Sequence, residues 1–394
     1  MRGPYRTVFA LPHATALIAW SLVARLPLGM TPLALMLLVR GHGASYGAAG
    51  AVAAAYGGAL ALGAPVAGRL VDRRGPARVL RRRAVVHPLF LALVVVLAVV
   101  DAPVAALGAA AAAAGATLPP IAPTVRTVLP ALAGGELRST VYALEAALQE
   151  LFWFGGPLLV AVLVLLDPVA GVAGAAVAAA IGTVLLARLP PVREAAAAGQ
   201  EGASLLGALE APGVRLLIAF ATTLGLGFGS VEVGMPAFAE LHGTRALGGL
   251  GLAAFSAGSF VGGLLAGTRP TDDVDRRLLR VAPLIPLALL AIAGAWSIPS
   301  LCVLAFVAGL PVAPGVAAVY GLIDRVAPRP AIAEAFAWFG MAISLGLALG
   351  TAASGSLVDH VGVRAPFVLG PALAASGVAL LVWRREALTV SARP

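Results

Sequence analysis

Lysine is missing from these 394 residues, so all 27 basic side chains are arginine. Cysteine occurs once, at Cys302 inside an apolar run, which excludes an intrachain disulfide and a thiolate metal set and leaves a small buried hydrophobe as its expected role. Charge is scarce at 11%, against 60% hydrophobic residues and a mean hydropathy of +0.97, and that balance excludes an ordinary soluble domain. The alternating pattern of membrane barrel strands is absent, which leaves an all-helical bundle in a bilayer. No nucleophile, base and metal constellation occurs, and no phosphate loop, so neither an enzyme nor an ATP-driven pump is expected. The net charge of +9 would suit nucleic acid, yet no basic domain stands outside the apolar runs to hold it, and nucleic acid is not an expected partner.

What is present is a series of long apolar runs. A helix needs about 20 apolar residues to cross the hydrocarbon. Runs of that kind lie at 12–39, 45–70, 84–100, 102–128, 138–166, 168–188, 213–239, 246–267, 280–297, 299–323, 331–357 and 364–383, about twelve in all. The 47 glycines and the prolines inside these runs are tolerated where neighbouring helices satisfy the freed backbone groups. Arg2 and Arg6 precede the first run as in a signal peptide, but the run is long enough to span and shows no persuasive cleavage site. The longest polar connection divides the chain into six spans at 1–189, a linker at 190–212 and six spans at 213–394.

Arginine sets the orientation. With the N-terminus inside, 23 arginines fall on inner segments and three outside (Arg40, Arg245, Arg364), with Arg25 in mid-span. The positive-inside rule then puts both termini in the cytoplasm. The arginine-only, alanine-rich composition suggests a high-GC bacterial genome, and so a bacterial cytoplasmic membrane. A monomer in the lipid bilayer is the expected state.

The two halves echo each other. LIAW at 17–20 returns as LIAF at 217–220, and AAYGGALALGAPVAG at 54–68 lines up with AAFSAGSFVGGLLAG at 253–267. Span four carries Pro120 and Pro123, and span ten carries Pro311 and Pro314, in broken interiors at matching places. Paired interruptions of this kind point to the central site of a transporter.

The densest charge is GRLVDRRGPARVLRRR at 68–83, with seven arginines in sixteen residues between spans two and three. Its first eleven residues, with Gly68, Leu70, Asp72, Arg73, Gly75 and Arg78, resemble the G-x-L-x-D-R-x-G-x-x-R signature of the major facilitator superfamily, in the loop where that family carries it. With the spans, the linker and the repeat, the resemblance covers essentially the whole chain. It implies two six-helix bundles rocking about a central cavity lined by spans one, four, seven and ten. It also implies that Gly68 lets a neighbouring helix approach and that Asp72 favours the positive N-terminal end of a neighbouring helix in a cytoplasmic gate. A degenerate second copy keeps Gly267 and Arg269, and Arg81 to Arg83 read as an inner anchor on anionic lipid.

Ionisable residues inside a membrane are costly and are functional candidates. They are Arg25 in span one, Arg126 near the inner end of span four, Glu145, Gln149 and Glu150 in span five, and Glu232 in span seven. Counted from Arg138, Glu145 lies roughly 11 Å along span five and Glu150 roughly 18 Å. That depth pairs Arg25 with Glu150 and Arg126 with Glu145. Each carboxyl is a candidate proton carrier, with a fixed ion pair as the alternative for Glu150; Glu232 shows no obvious partner. His87 is expected to be packed or at the lipid edge, and Ser45 to cap a helix.

Gly155, Gly156 and Pro157 in span five resemble the glycine-proline motif of the drug:proton antiporter branch. That resemblance implies a secondary transporter without cofactors, driven by the proton gradient, exporting small hydrophobic compounds. The arginine that this branch usually carries in the outer part of span four is not evident. An uptake permease for sugars or other metabolites and a non-transporting membrane sensor are the alternatives.

Overall fold

The computed structural model describes residues 3–44, 46–195, 206–242, 249–271 and 273–388; the side chains at 46, 150, 154, 240, 356 and 359 lie outside that description. Among the described residues there is no strand, and twelve helical segments are long and apolar enough to cross a membrane. The chain is a multi-pass membrane protein.

A short helix, α1 (Pro4–Ala10), precedes the first half. That half comprises α2 (Ala14–Gly41), α3 (Tyr46–Arg74), α4 (Pro76–Val99), the broken fourth span α5 (Val104–Ala116) and α6 (Ile121–Ala133), α7 (Arg138–Val164) and α8 (Pro168–Arg188). The linker carries α9 (Pro190–Glu194) and a 3-10 turn at Gly207–Glu210. The second half comprises α10 (Pro212–Leu241), α11 (Leu250–Gly267), the broken ninth span α12 (Val274–Val281) and α13 (Leu284–Ala291), the broken tenth span α14 (Ile298–Gly309) and α15 (Val312–Val326), α16 (Ile332–His360) and α17 (Pro366–Trp383).

Local chemistry sets the ends of several helices. Asp167 Oδ1 accepts the Val169 N–H at 2.7 Å with Pro168 at the first helical position of α8, and Ser297 and Ser300 form a reciprocal cap on α14. Span three starts at Pro76, eight residues before the start expected from hydropathy. Gly75 turns the chain at φ 77°, a conformation that glycine adopts without strain, and Pro76 opens α4. Arg78 and Arg81 to Arg83 therefore stand on helix and not in a loop. Span nine likewise begins at Val274, with Arg276, Arg277 and Arg280 on its first helical turns. Hydropathy locates the apolar stretch of a helix and misses its charged interfacial turns.

In the first half α2 packs on α7 and α8, and α3 on α5; in the second α10 packs on α16 and α17, and α11 on α14. Glycine faces bring the backbones together, Gly225 on α10 against Gly346 on α16 and Gly258 on α11 against Phe306 on α14. The halves are joined by α3 with α16, α7 with α11 and α15, and α6 with α16. The largest core belongs mainly to the second half but takes in Tyr142, Ala143 and Ala146 of α7. These joining residues lie toward the arginine-rich end of their helices, and that end is closed.

Candidate functional site

Two related contacts close the arginine-rich end. In the first, Gly68 on α3 faces α16, where an added Cβ would stand 2.5 Å from the Ala333 carbonyl oxygen and 2.8 Å from the Ala337 Cβ. One turn on, Asp72 receives the Ala333 N–H on Oδ1 at 3.1 Å and the Glu334 N–H on Oδ2 at 2.8 Å. A helix start has N–H groups without helical partners and the positive end of the helix dipole, so a carboxylate across the interface satisfies both. Val71, Val79 and Ala333 bury a small apolar cluster beside it, with Leu70 against its edge. Arg69 and Arg73 act electrostatically on Glu334, whose Oε1 accepts the Trp338 indole N–H at 3.2 Å. Arg78 is exposed. A cavity of about 410 Å³ opens under this contact, with Asp72, Thr127, Glu194 and Arg329 in its wall.

The second contact repeats the first at the matching place in the other half, with its polarity reversed. Gly267, the counterpart of Gly68, meets Tyr5, and its carbonyl accepts the Thr140 hydroxyl of α7 at 2.9 Å. Thr271 occupies the counterpart of Asp72, and there its backbone N–H donates to Ser139 Oγ at 2.9 Å. The Tyr5 hydroxyl donates to the Leu264 carbonyl at 2.6 Å, and burial pushes its phenol up to about 12, so it stays a donor at ordinary pH. Arg138 on α7 adds an ion pair of 2.8 Å to Asp324 on α15.

Above this floor lies a buried charged cluster. Arg25 Nη2 is 2.6 Å from Glu145 Oε1, and Arg126 Nε is 3.5 Å from the same oxygen. All three side chains are under 7% exposed. Arg126 Nη2 donates to Gln149 Oε1 at 2.9 Å and to the Tyr320 hydroxyl of α15, and the guanidinium lies 4.0 Å from the Tyr320 ring centroid. Arg25 thus has Glu145 as a partner; the expected pairing with Glu150 falls on a side chain outside the described residues. Depth along a helix ranks two carboxyls but does not choose the face. Positions 145 and 149 share a face, whereas position 150 stands roughly 140° around from 145.

The broken spans four and ten frame the cluster. Pro120 and Pro311 sit just before α6 and α15, and Pro123 and Pro314 lie in their first turns. The break in span four leaves carbonyls without helical donors inside the membrane. Arg83 Nη1 donates to the Ala116 and Leu118 carbonyls at 3.1 and 2.8 Å, and His87 Nδ1 lies 2.8 Å from the Ala114 carbonyl. Arg83 is therefore no lipid anchor, and His87 is fully buried. Gly156 packs on Gly29 of α2, with Pro157 next in α7. Glu232 is exposed on α10 and does have a partner, the Thr351 hydroxyl of α16. Cys302 is half-buried, less enclosed than its sequence implies, and Ser45 lies outside the described residues.

Sequence reasoning missed Tyr320, Glu334, Asp324, and the roles of Arg83 and His87. Arg83 and His87 carry a legible signal: they are four residues apart on one helix face, opposite a proline break that exposes carbonyls. Tyr320 carries none, because its partner is 194 residues away.

The family profile described as Major Facilitator Superfamily matches residues 17–269 and 217–394. No curated protein sequence matches the chain. Among solved structures, the human organic anion transporter MFSD10 (TETRAN) superposes with a TM-score of 0.73 at 18% identity, covering 97% of this chain and 100% of that one. A bacterial homologue of the iron transporter ferroportin, in an outward-facing state, gives 0.71 at 14%, covering 94% and 99%. The proton:xylose symporter XylE bound to 6-bromo-6-deoxy-D-glucose gives 0.65 at 13%, covering 94% and 95%. These likenesses, all under 25% identity, carry the fold. The family profile spans both halves, and with it the chain belongs to the Major Facilitator Superfamily: it is a membrane transporter and not an enzyme.

Proposed function

We propose that this chain is a secondary active transporter that exports small, largely apolar compounds by alternating access. It draws on the proton-motive force across a bacterial cytoplasmic membrane, works as a monomer and keeps both termini in the cytoplasm. The observation that carries the reading is the Asp72 carboxylate on two backbone N–H groups at the start of α16. It joins the two halves through a few polar contacts at one end, the kind of bond that rocking breaks and remakes whole. Closure at the arginine-rich end then corresponds to a state facing away from the cytoplasm. The drug:proton antiporter likeness rests on Gly155, Gly156 and Pro157 and supports export over uptake.

Glu145 and Glu232 are the proton carriers proposed on this reading. Glu145 is shared by two guanidiniums, so protonating it would loosen both at once. Glu232 lies apart from that cluster on α10, beside the Thr351 hydroxyl of α16.

The test is accumulation of fluorescent compounds by cells with and without the protein, and with a protonophore. Export predicts lower accumulation that a protonophore restores. Higher accumulation with the protein would establish uptake, and no difference across a broad panel would establish a non-transporting role.

A further inference from the structure

We infer that the cargo carries an anionic group and that Arg126 is the side chain that receives it. This rests on the transport reading above and names the class of compound moved.

Three observations converge on Arg126. The first is charge: among the described side chains the buried cluster sets two guanidiniums, Arg25 and Arg126, against one carboxylate, Glu145. A second buried cation on one anion is expensive in a low-dielectric interior unless another negative group joins it. Arg138 does not alter the balance, being matched by Asp324.

The second is unspent donor capacity. Arg25 Nε is buried and makes no hydrogen bond among the described residues, and Arg126 Nε has only a 3.5 Å ion-pair contact with Glu145 Oε1, too long and poorly aligned for a hydrogen bond. Guanidinium presents five N–H donors in a fixed fork suited to two oxygens of one acid group. Here Nη2 of Arg126 meets neutral acceptors, the Gln149 amide oxygen and the Tyr320 hydroxyl, and the one carboxylate at the guanidinium, Glu145, is shared with Arg25.

The third is what covers it. Arg126 stands on α6 of the first half, and its cover comes from the second half: Tyr320 of α15 places both ring and hydroxyl on it, and Phe336 of α16 lies 5.9 Å away. Rocking that separates the halves at the arginine-rich end carries Tyr320 and Phe336 away and leaves Arg126 open on that side. A phenol hydroxyl and an aromatic face are weak substitutes for an acid group, so an anion of the cargo displaces them when the site opens and is displaced by them when it closes.

The test uses the purified full chain in proteoliposomes with an imposed potential, and two dyes on one xanthene skeleton, anionic carboxyfluorescein and cationic rhodamine 123. The expected result is carboxyfluorescein flux at least ten-fold above rhodamine 123, abolished in Arg126→Gln and partly kept in Arg126→Lys. Tyr320→Phe, which leaves the guanidinium in place, should alter the half-saturating carboxyfluorescein concentration without reversing the preference. Rhodamine 123 flux equal to or above carboxyfluorescein flux, with carboxyfluorescein flux unchanged in Arg126→Gln, overturns the anion assignment and leaves export standing. If neither dye moves, the decisive measurement is thermal unfolding of the purified protein in octanoate against tetrabutylammonium at equal ionic strength. An octanoate shift that needs Arg126 upholds the anion site and overturns the transport reading; no such shift overturns the anion site.

Discussion

The Glu334 backbone N–H donates to Asp72 Oδ2 over 2.8 Å, bridging 262 residues of sequence and the boundary between the two halves. With the Ala333 N–H on Oδ1, both carboxylate oxygens are used. Asparagine keeps the shape but offers one acceptor and turns a donor toward the other N–H. Asp72→Asn should weaken the closed arginine-rich end by about 1–2 kcal/mol, a roughly ten-fold shift in the balance of states. Transport should fall by about that factor at unchanged membrane level. Undiminished transport in this variant would reduce the whole stretch to an inner anchor.

Gly68→Leu attacks the same contact through packing. Its Cβ alone would meet the Ala333 carbonyl oxygen at 2.5 Å, so the wider side chain forces α3 and α16 apart. In a Cys302→Ser background with a reporter cysteine at the buried Val71, the variant should label several-fold faster with a water-soluble maleimide than the same reporter beside native Gly68. Equal labelling rates would mean that the close approach does not hold the gate.

Glu145 serves two buried arginines, so Glu145→Gln leaves both without their carboxylate. Removing one member of a buried pair costs about 3–5 kcal/mol. The expected outcome is a strongly lowered thermal midpoint in detergent, partly recovered in Glu145→Gln with Arg25→Gln, where one charge leaves with the other. An undisturbed single variant would show that the cluster is not an ionic lock.

The course of the chain was legible because a bilayer imposes a simple requirement: apolar runs about 20 residues long, with arginine gathered at one end. The approach of Gly68 and Asp72 to the start of another helix was legible, because the spacing of the two residues is local. Azimuth and distance were not. Glu145 and Glu150 differ by about 7.5 Å in depth, within reach of a long arginine, and only the facing of α7 brings Glu145 to Arg25. Arg83 read as an anchor because Arg81, Arg82 and Arg83 are alike in sequence; the rotation of α4 turns one of the three toward the break in span four. Tyr320 and Glu334 meet their partners only when the two halves come together.

Glu232 and Glu145 make separable demands on proton coupling. Glu232→Gln keeps a group able to hydrogen-bond Thr351 but removes the titratable proton. If Glu232 is the carrier, a proton gradient imposed on vesicles should no longer accelerate transport, while exchange down the cargo's own gradient continues. Full gradient dependence in Glu232→Gln assigns the proton elsewhere and leaves Glu145 and Glu150 as the candidates.

Arg83 and Arg82 are neighbours with different surroundings, and the contrast tests what holds the broken span. Arg83 supplies donors to the Ala116 and Leu118 carbonyls, whereas Arg82 is exposed. An unsatisfied buried carbonyl costs about 1–3 kcal/mol, so Arg83→Leu should lower the thermal midpoint clearly while Arg82→Leu leaves it within error. Arg83→Lys should fall between them, since an ammonium donates but lacks the reach and fork of a guanidinium. Because span four positions Arg126 through α6, loosening its break should also slow transport in Arg83→Lys at a temperature where that variant stays folded. Equal behaviour of the leucine variants at 82 and 83 would return both arginines to the lipid surface.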